Sequence, residues 1–342
     1  MRSPLLQSWT RRAATALIAS ASCLGAGAAS AEQVKLGVLR LASHAGGYVA
    51  FERGYFTAEG LDAELEFFQA AGPMAIAIAS GDIDFGVTAI TGALVNLAER
   101  GAVRVVGGAL IEEPGVDGQK ILASKAAYEA GLDSPAKLGG HSFALTQTGS
   151  SFHYMISRIA AKEGIDPATI TLPALQQVGA IIAALKSGQV DSWSIQPHIA
   201  KGLDASGDAK IIGDVADYLP DYQVTTIFTS TRNATERRDV TERFLRAYAR
   251  GIADYNTALV DRTAGEAEAE AVTRLIHKYV YADRPYEKAA PSIQAGAMRL
   301  QPDARLNLGS VRDQLEWLRN EGFVSGAITL EQVVDPSFVK TY

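Results

Sequence analysis

Short apolar runs alternate with helical stretches along most of this chain. Val34-Lys35-Leu36-Gly37-Val38-Leu39 reads as a buried strand, followed by a loop over 40–47 and a short helix over 48–53. A second strand is predicted at 63–68. Gly72-Pro73 then opens a helix running to Ala79, because the fixed φ of proline suits the first helical turn. A third strand at 84–88, a helix at 91–100 and a fourth strand at 103–109 complete the first half of the pattern. Strands separated by helices of this length predict an α/β fold with a mostly parallel sheet and helices on its faces. Pro114, Gly115 and Gly118 break the rhythm, and this stretch reads as a crossing into a second lobe. The alternation resumes with strands at 120–124, 142–145, 170–174 and 190–195 and helices at 151–163 and 180–186. Leu219-Pro220-Asp221 is a second break, after which the β-branched run 224–229 carries the chain back. From Glu236 onward the pattern is largely helical, with amphipathic runs at 244–259, 271–281 and 311–321.

A weak internal repeat points to two similar lobes. Ile78-Ala79-Ser80-Gly81-Asp82-Ile83-Asp84-Phe85 resembles Leu185-Lys186-Ser187-Gly188-Gln189-Val190-Asp191-Ser192, displaced by 107 residues. Each is a helix end, a glycine that permits a left-handed turn, an aliphatic residue, and an aspartate entering a strand. Asp84 and Asp191 read as structural, bonding to nearby backbone.

The N-terminus changes the meaning of the composition. Arg2, Arg11 and Arg12 precede an uncharged, apolar or small stretch that closes on Ala29-Ser30-Ala31. This is the layout of a cleavable export signal over 1–31. Arg11-Arg12 lacks the flanking residues of a twin-arginine route, and Ser20 replaces the large aliphatic residue that lipid attachment at Cys23 would need. Removing the leader takes the formal charge from −6 to −9. Such an acidic chain gains nothing from a polyanion, so no nucleic-acid partner is expected. The single cysteine leaves with the leader. The mature chain then offers no disulfide, thiolate metal site or cysteine nucleophile, and must be held by its core.

Candidate chemistry sits where the predicted strands end. In an open α/β sheet, ligands favour the carboxyl ends of strands. The first strand is followed by Ser43, His44 and Ala45, the second by Gly72 and Pro73 at a helix start, and the third by Thr88. In the second lobe, Thr148, Gly149, Ser150 and Ser151 stand between a strand and a helix, where free amides point toward any anion above them. Trp193 and Gln196 lie at a later strand end, available to stack on or hydrogen-bond a ligand. Phe152 and His153 open the following helix; a helix N-terminus disfavours a cationic imidazole. The five histidines, His44, His141, His153, His198 and His277, show no metal-ligand spacing. No nucleophile elbow, phosphate-loop lysine motif or zinc-protease motif is present. A binding protein with no catalytic residue, metal or cofactor is the expectation.

Four strings carry a resemblance: Gly46 to Gly60, GGYVAFERGYFTAEG; Ala75 to Gly86, AIAIASGDIDFG; Ser134 to Ala144, SPAKLGGHSFA; and Ala183 to Pro197, AALKSGQVDSWSIQP. In order and spacing they resemble the periplasmic substrate-binding proteins of ABC importers for nitrate, sulfonate and taurine, a branch of the type 2 periplasmic binding proteins. The polar Val116-Asp117-Gly118-Gln119 departs from that pattern, which runs apolar into the second lobe. The resemblance implies two α/β lobes, 32–112 with 225–342 and 113–224, joined by two crossings. It also implies a periplasmic, monomeric protein that hands a small ligand to an inner-membrane permease. The ligand contacts would be the residues named above at the strand ends, and the ligand a sulfonate, nitrate, taurine-like anion or aromatic carboxylate. Rival readings are a thiamine-pyrimidine precursor binder, a synthase-like enzyme, which alone the loss of the only cysteine disfavours, and a ligand sensor for a membrane receptor.

Overall fold

In the computed structural model, which describes residues 31–342, β1 (Glu32–Leu39) lies between two parallel partners. These are β2 (Leu61–Phe68) and β3 (Phe85–Thr88). β4 (Val103–Gly108) ends this stretch of chain. The chain then leaves, builds a second sheet from β5 (Lys120–Ser124), β6 (Ser192–Ile195) and β7 (Ala209–Asp214), and returns as β8 (Thr226–Ser230). The sheet orders are β2-β1-β3-β8-β4 and β6-β5-β7. β8 enters antiparallel between β3 and β4, and β5 is antiparallel to both of its neighbours. The five-stranded sheet is therefore mixed, with its parallel ladders gathered around β1, and the pairings of the three-stranded sheet are antiparallel.

The outgoing and returning segments lie side by side. Ile111 bridges Gln223, the Ala109 amide donates to the Thr225 carbonyl at 3.0 Å, and the Glu112 amide to the Tyr222 carbonyl at 2.9 Å. Glu112 is fully buried here. Its Oε1 accepts from the Gln119 amide at 3.1 Å and from Gln119 Nε2 at 3.0 Å, while Oε2 has no partner among the described residues. The polar stretch that departs from the family pattern thus supplies the partner of a buried carboxylate.

The internal repeat has a physical counterpart. Asp84 accepts the Lys35 amide at 2.9 Å, and Asp191 accepts the Ser142 amide at 2.8 Å. Each aspartate ties its strand to a segment 49 residues upstream. Two of the expected strands are weaker than the pattern suggests. Segments 142–145 and 170–174 meet only through the isolated bridges Ser142↔Thr171 and Leu145↔Ala174. Pro173 has no amide to extend that ladder.

The core follows from the pattern. β3 and β6 are buried along their whole length, as strands covered on both faces must be. Phe244, from the helix Arg238–Tyr255, stacks on Phe85 at a centroid separation of 3.8 Å. The same helix meets the helix Ala45–Glu52 at Gly251, where a Cβ would overlap the Gly46 carbonyl. Only glycine permits that approach. The helix Leu308–Asn320 joins both halves: the Asn307 amide group reaches the Asp221 carbonyl at 2.9 Å, and Asp313 holds Arg158 at 2.6 Å and Tyr154. No helix among the described residues is long and apolar enough to cross a membrane. The expected leader and Cys23 lie outside the described residues.

Candidate functional site

The turns after the strands of both sheets face one another across a small cavity of about 50 Å³, room for a few water molecules or one compact polar group. Ser43 and His44 follow β1, Thr88 ends β3, Ser150 and Ser151 open the helix Ser151–Glu163, and Gln196 ends β6. All six line this cavity.

Two of them carry buried polar atoms without partners. Ser150 Oγ and Gln196 Oε1 make no hydrogen bond among the described residues. Leaving such a group buried and unpaired costs about 1–3 kcal/mol. Ser150 stands at the N-cap position but does not cap. Thr91, at the equivalent place on the helix Gly92–Glu99, accepts the Leu94 amide at 3.2 Å. As a result the first amides of the Ser151–Glu163 helix, those of Ser151, Phe152 and His153, are left unbonded among the described residues. Free amides and the positive end of a thirteen-residue helix dipole form a seat for negative charge.

His44 is the titratable side chain on the cavity wall. Burial pushes its pKa down to about 3, so the ring is neutral at pH 7. Its Nδ1 accepts the Leu39 amide at 3.4 Å, which leaves the proton on Nε2.

The two sides touch. Gln196 Nε2 donates to Ser43 Oγ at 3.4 Å, and the Gly92 amide donates to the Gly149 carbonyl at 3.0 Å. The Gln147 side chain lies over Gly72, in the space a Cβ would take.

Other expected residues stand apart from the cavity. Ala45 is buried in the first turn of its helix. Pro73 and Thr148 are exposed. Gly72 and Gly149 serve the contacts just described. Trp193 is completely buried, with its ring 5.5 Å from Phe152, and does not line the cavity. It packs in the core, because β6 is buried along its whole length. His153 also turns away: its Nδ1 accepts the Gly149 amide at 3.2 Å, and its ring packs on Trp317 and Phe323.

Thr91, in the loop after the third strand, and Thr146, just past the predicted strand 142–145, also line it, and the cavity adds two polar residues the strand-end rule did not reach, Gln119 and Thr225. Gln119 and Thr225 belong to the crossings, and Thr225 Oγ1 accepts the Leu110 amide at 2.9 Å. The unusual polarity of 116–119 was the available signal for Gln119.

A family model described as NMT1/THI5 like matches residues 42–257. No curated protein sequence matches. Among solved structures, the periplasmic aliphatic sulphonate binding protein of Escherichia coli aligns with TM-score 0.68 and 18% identity, over 89% of this chain and 92% of that one. The alkanesulfonate-binding protein of Xanthomonas axonopodis pv. citri, bound to MOPS, gives 0.66 and 18%, over 92% and 100%. The periplasmic nitrate-binding protein of Synechocystis PCC 6803 gives 0.67 and 14%, over 88% and 83%. At these identities the likeness establishes the periplasmic binding protein fold.

Proposed function

Since the chain belongs to the NMT1/THI5-like family and has the periplasmic binding protein fold, we propose that it is the extracytoplasmic solute-binding component of an ABC importer. It captures a small molecule bearing a compact polar or anionic group and delivers it to a membrane permease. The observation that carries this reading is the unpartnered Ser150 Oγ facing one cavity beside the free amides of a helix N-terminus, with the unpartnered Gln196 Oε1 there as an acceptor for a donor group on the ligand. A sulfonate, nitrate or carboxylate group accepts from the Ser150 hydroxyl and the amides of Ser151 and Phe152. Donors of this kind hold an anion without a counter-charge beside it.

Binding and release follow from the two crossings. The lobes, 32–112 with 225–342 and 113–224, swing about the paired segments near Ile111 and Gln223. Opening breaks the Ser43–Gln196 and Gly92–Gly149 contacts and admits the ligand; closure seals it. The wall of small, hydroxyl-bearing and neutral side chains suits capture rather than acid–base chemistry, since His44 is held neutral with no carboxylate beside it.

A thermal-shift screen with nitrate, taurine, alkanesulfonates, aromatic carboxylates and pyrimidines tests the reading. A ligand that binds only the folded state raises the melting temperature as its concentration exceeds its Kd. A screen in which none of these classes stabilises the protein contradicts the proposal.

A further inference from the structure

A second chamber adjoins the cavity and shares Leu39, Leu41 and Val178 with it. At about 440 Å³ it is nearly an order of magnitude larger, within the range of sites that hold a drug-sized molecule. One wall is built by the ends of β1 and β2, including Phe68. The other is built by the helices Val178–Lys186 and Pro197–Ser206, which contribute Ile182, Ile199 and Leu203. These surfaces are apolar.

The charges at this chamber are unbalanced. Lys186 is neutralised by Asp208 at 2.8 Å. Arg40 and Arg284 also line the chamber, and neither has a carboxylate within ion-pairing distance among the described residues. Each guanidinium is instead laid over an aromatic ring: Arg40 on Phe67 at 3.8 Å and Arg284 on Tyr281 at 4.3 Å. Arg40 also donates to the Tyr279 carbonyl at 3.4 Å. Stacking restricts a guanidinium while leaving its N–H edge free for an oxyanion.

The turn that carries Arg284 is held in an unfavourable conformation. Tyr281 has φ of +59°, a region that a bulky L-residue rarely adopts. Its hydroxyl donates to the His198 carbonyl at 3.1 Å, and its ring meets the His198 ring edge-on at 5.9 Å. His198 lines the same chamber, is 2% exposed, and leaves Nδ1 without a partner among the described residues. A buried, unsatisfied ring nitrogen at the edge of an apolar space calls for a hydrogen-bonding group on whatever fills that space.

We infer that the chamber receives the body of an elongated ligand, an aromatic or aliphatic skeleton ending in an anionic group that Arg40 and Arg284 recognise, while the compact head occupies the inner cavity. The inference rests on the binding-protein reading and sharpens its ligand class. The transported molecule carries polar groups at both ends of an apolar body, and inorganic anions fill only the inner cavity.

Calorimetry with matched probes tests this. Benzenesulfonate is compared with para-sulfobenzoate, and hexanesulfonate with its terminally carboxylated derivative, on the purified protein and on the Arg40→Gln/Arg284→Gln variant. In at least one pair the doubly anionic probe is expected to bind about tenfold tighter than its partner. That advantage should disappear in the variant while the singly anionic probe binds both proteins alike. Equal affinities within both pairs, or an advantage that survives in the variant, overturn the chamber inference and leave the inner-cavity reading standing. Failure of every probe to bind overturns both. Ser150→Ala, which acts on the inner cavity, should weaken both members of a pair by the same factor.

Discussion

Gln196 Nε2 lies 3.4 Å from Ser43 Oγ, so a residue at the end of β6 touches the turn after β1 in the other sheet. On the proposed capture-and-closure reading, the contact forms when the two sides close on each other. Gln196→Ala and Ser43→Ala should therefore each weaken ligand binding by up to about tenfold. In the double variant the losses should fall short of additive by roughly 0.5–1.5 kcal/mol, the coupling of a directly bonded pair. A double-mutant cycle on ligand affinity measures this; strict additivity would show that the contact plays no part in closure.

Ser150 and Thr91 occupy equivalent helix positions but do different things. Thr91 caps its helix, so Thr91→Ala should cost about 1 kcal/mol of stability in chemical denaturation. Ser150 does not cap and its Oγ is buried without a partner among the described residues, so Ser150→Ala should leave the unliganded protein as stable or more stable, by up to about 1–3 kcal/mol, while lowering ligand affinity by about tenfold. The reverse pattern would place Ser150 among the structural residues.

Glu112 gives the crossing a pH dependence. Burial, the largest influence, raises its pKa from 4.5 to about 7, against the lowering effect of Gln119 and Lys120. The folded state therefore keeps a proton that the unfolded chain releases. The stability contributed by Glu112 is complete below pH 4.5, falls as pH rises, and is lost once pH passes about 7. Glu112→Gln removes that loss. Relative to the parent, the variant should be more stable at about pH 8 than at about pH 5, by an amount on the order of 3 kcal/mol. Denaturation curves at the two pH values check this, and an unchanged difference contradicts it.

Gly296 lies so close to His198 that a Cβ would overlap the His198 backbone. Gly296→Ala must displace the helix Pro197–Ser206, whose cap residue is Gln196. Overpacking of this kind costs about 1–3 kcal/mol. Ligand affinity should fall with it, because Gln196 moves. Calorimetry showing full affinity in a destabilised variant would separate this helix from the site.

Much of this candidate site was legible in the sequence, for a definite reason. Ser43, His44, Thr88, Ser150, Ser151 and Gln196 follow strands, and the ends of strands in an open α/β sheet face a common crevice. The repeat was legible too, because Asp84 and Asp191 each hold an upstream amide. What local pattern does not encode is which face of a fully covered strand looks toward the ligand. That is why Trp193 was expected at the cleft and stands in the core. The antiparallel entry of β8 depends on where the chain returns rather than on its β-branched composition. Gln119 and Thr225 reach the cavity from the crossings, outside any strand-end rule. Arg40 and Arg284 are 244 positions apart in the sequence, and only the fold brings them to one chamber.

The central claim is that Ser150 and Gln196 together hold the polar group of a captured molecule. Isothermal titration of the wild-type protein and of the Ser150→Ala/Gln196→Ala variant, with a stabilising compound from the thermal-shift screen, tests it most directly. The account predicts one-to-one binding to the wild type and a loss of about 100-fold or more in a variant that remains folded. Equal binding by the two proteins would place the ligand elsewhere and contradict the account.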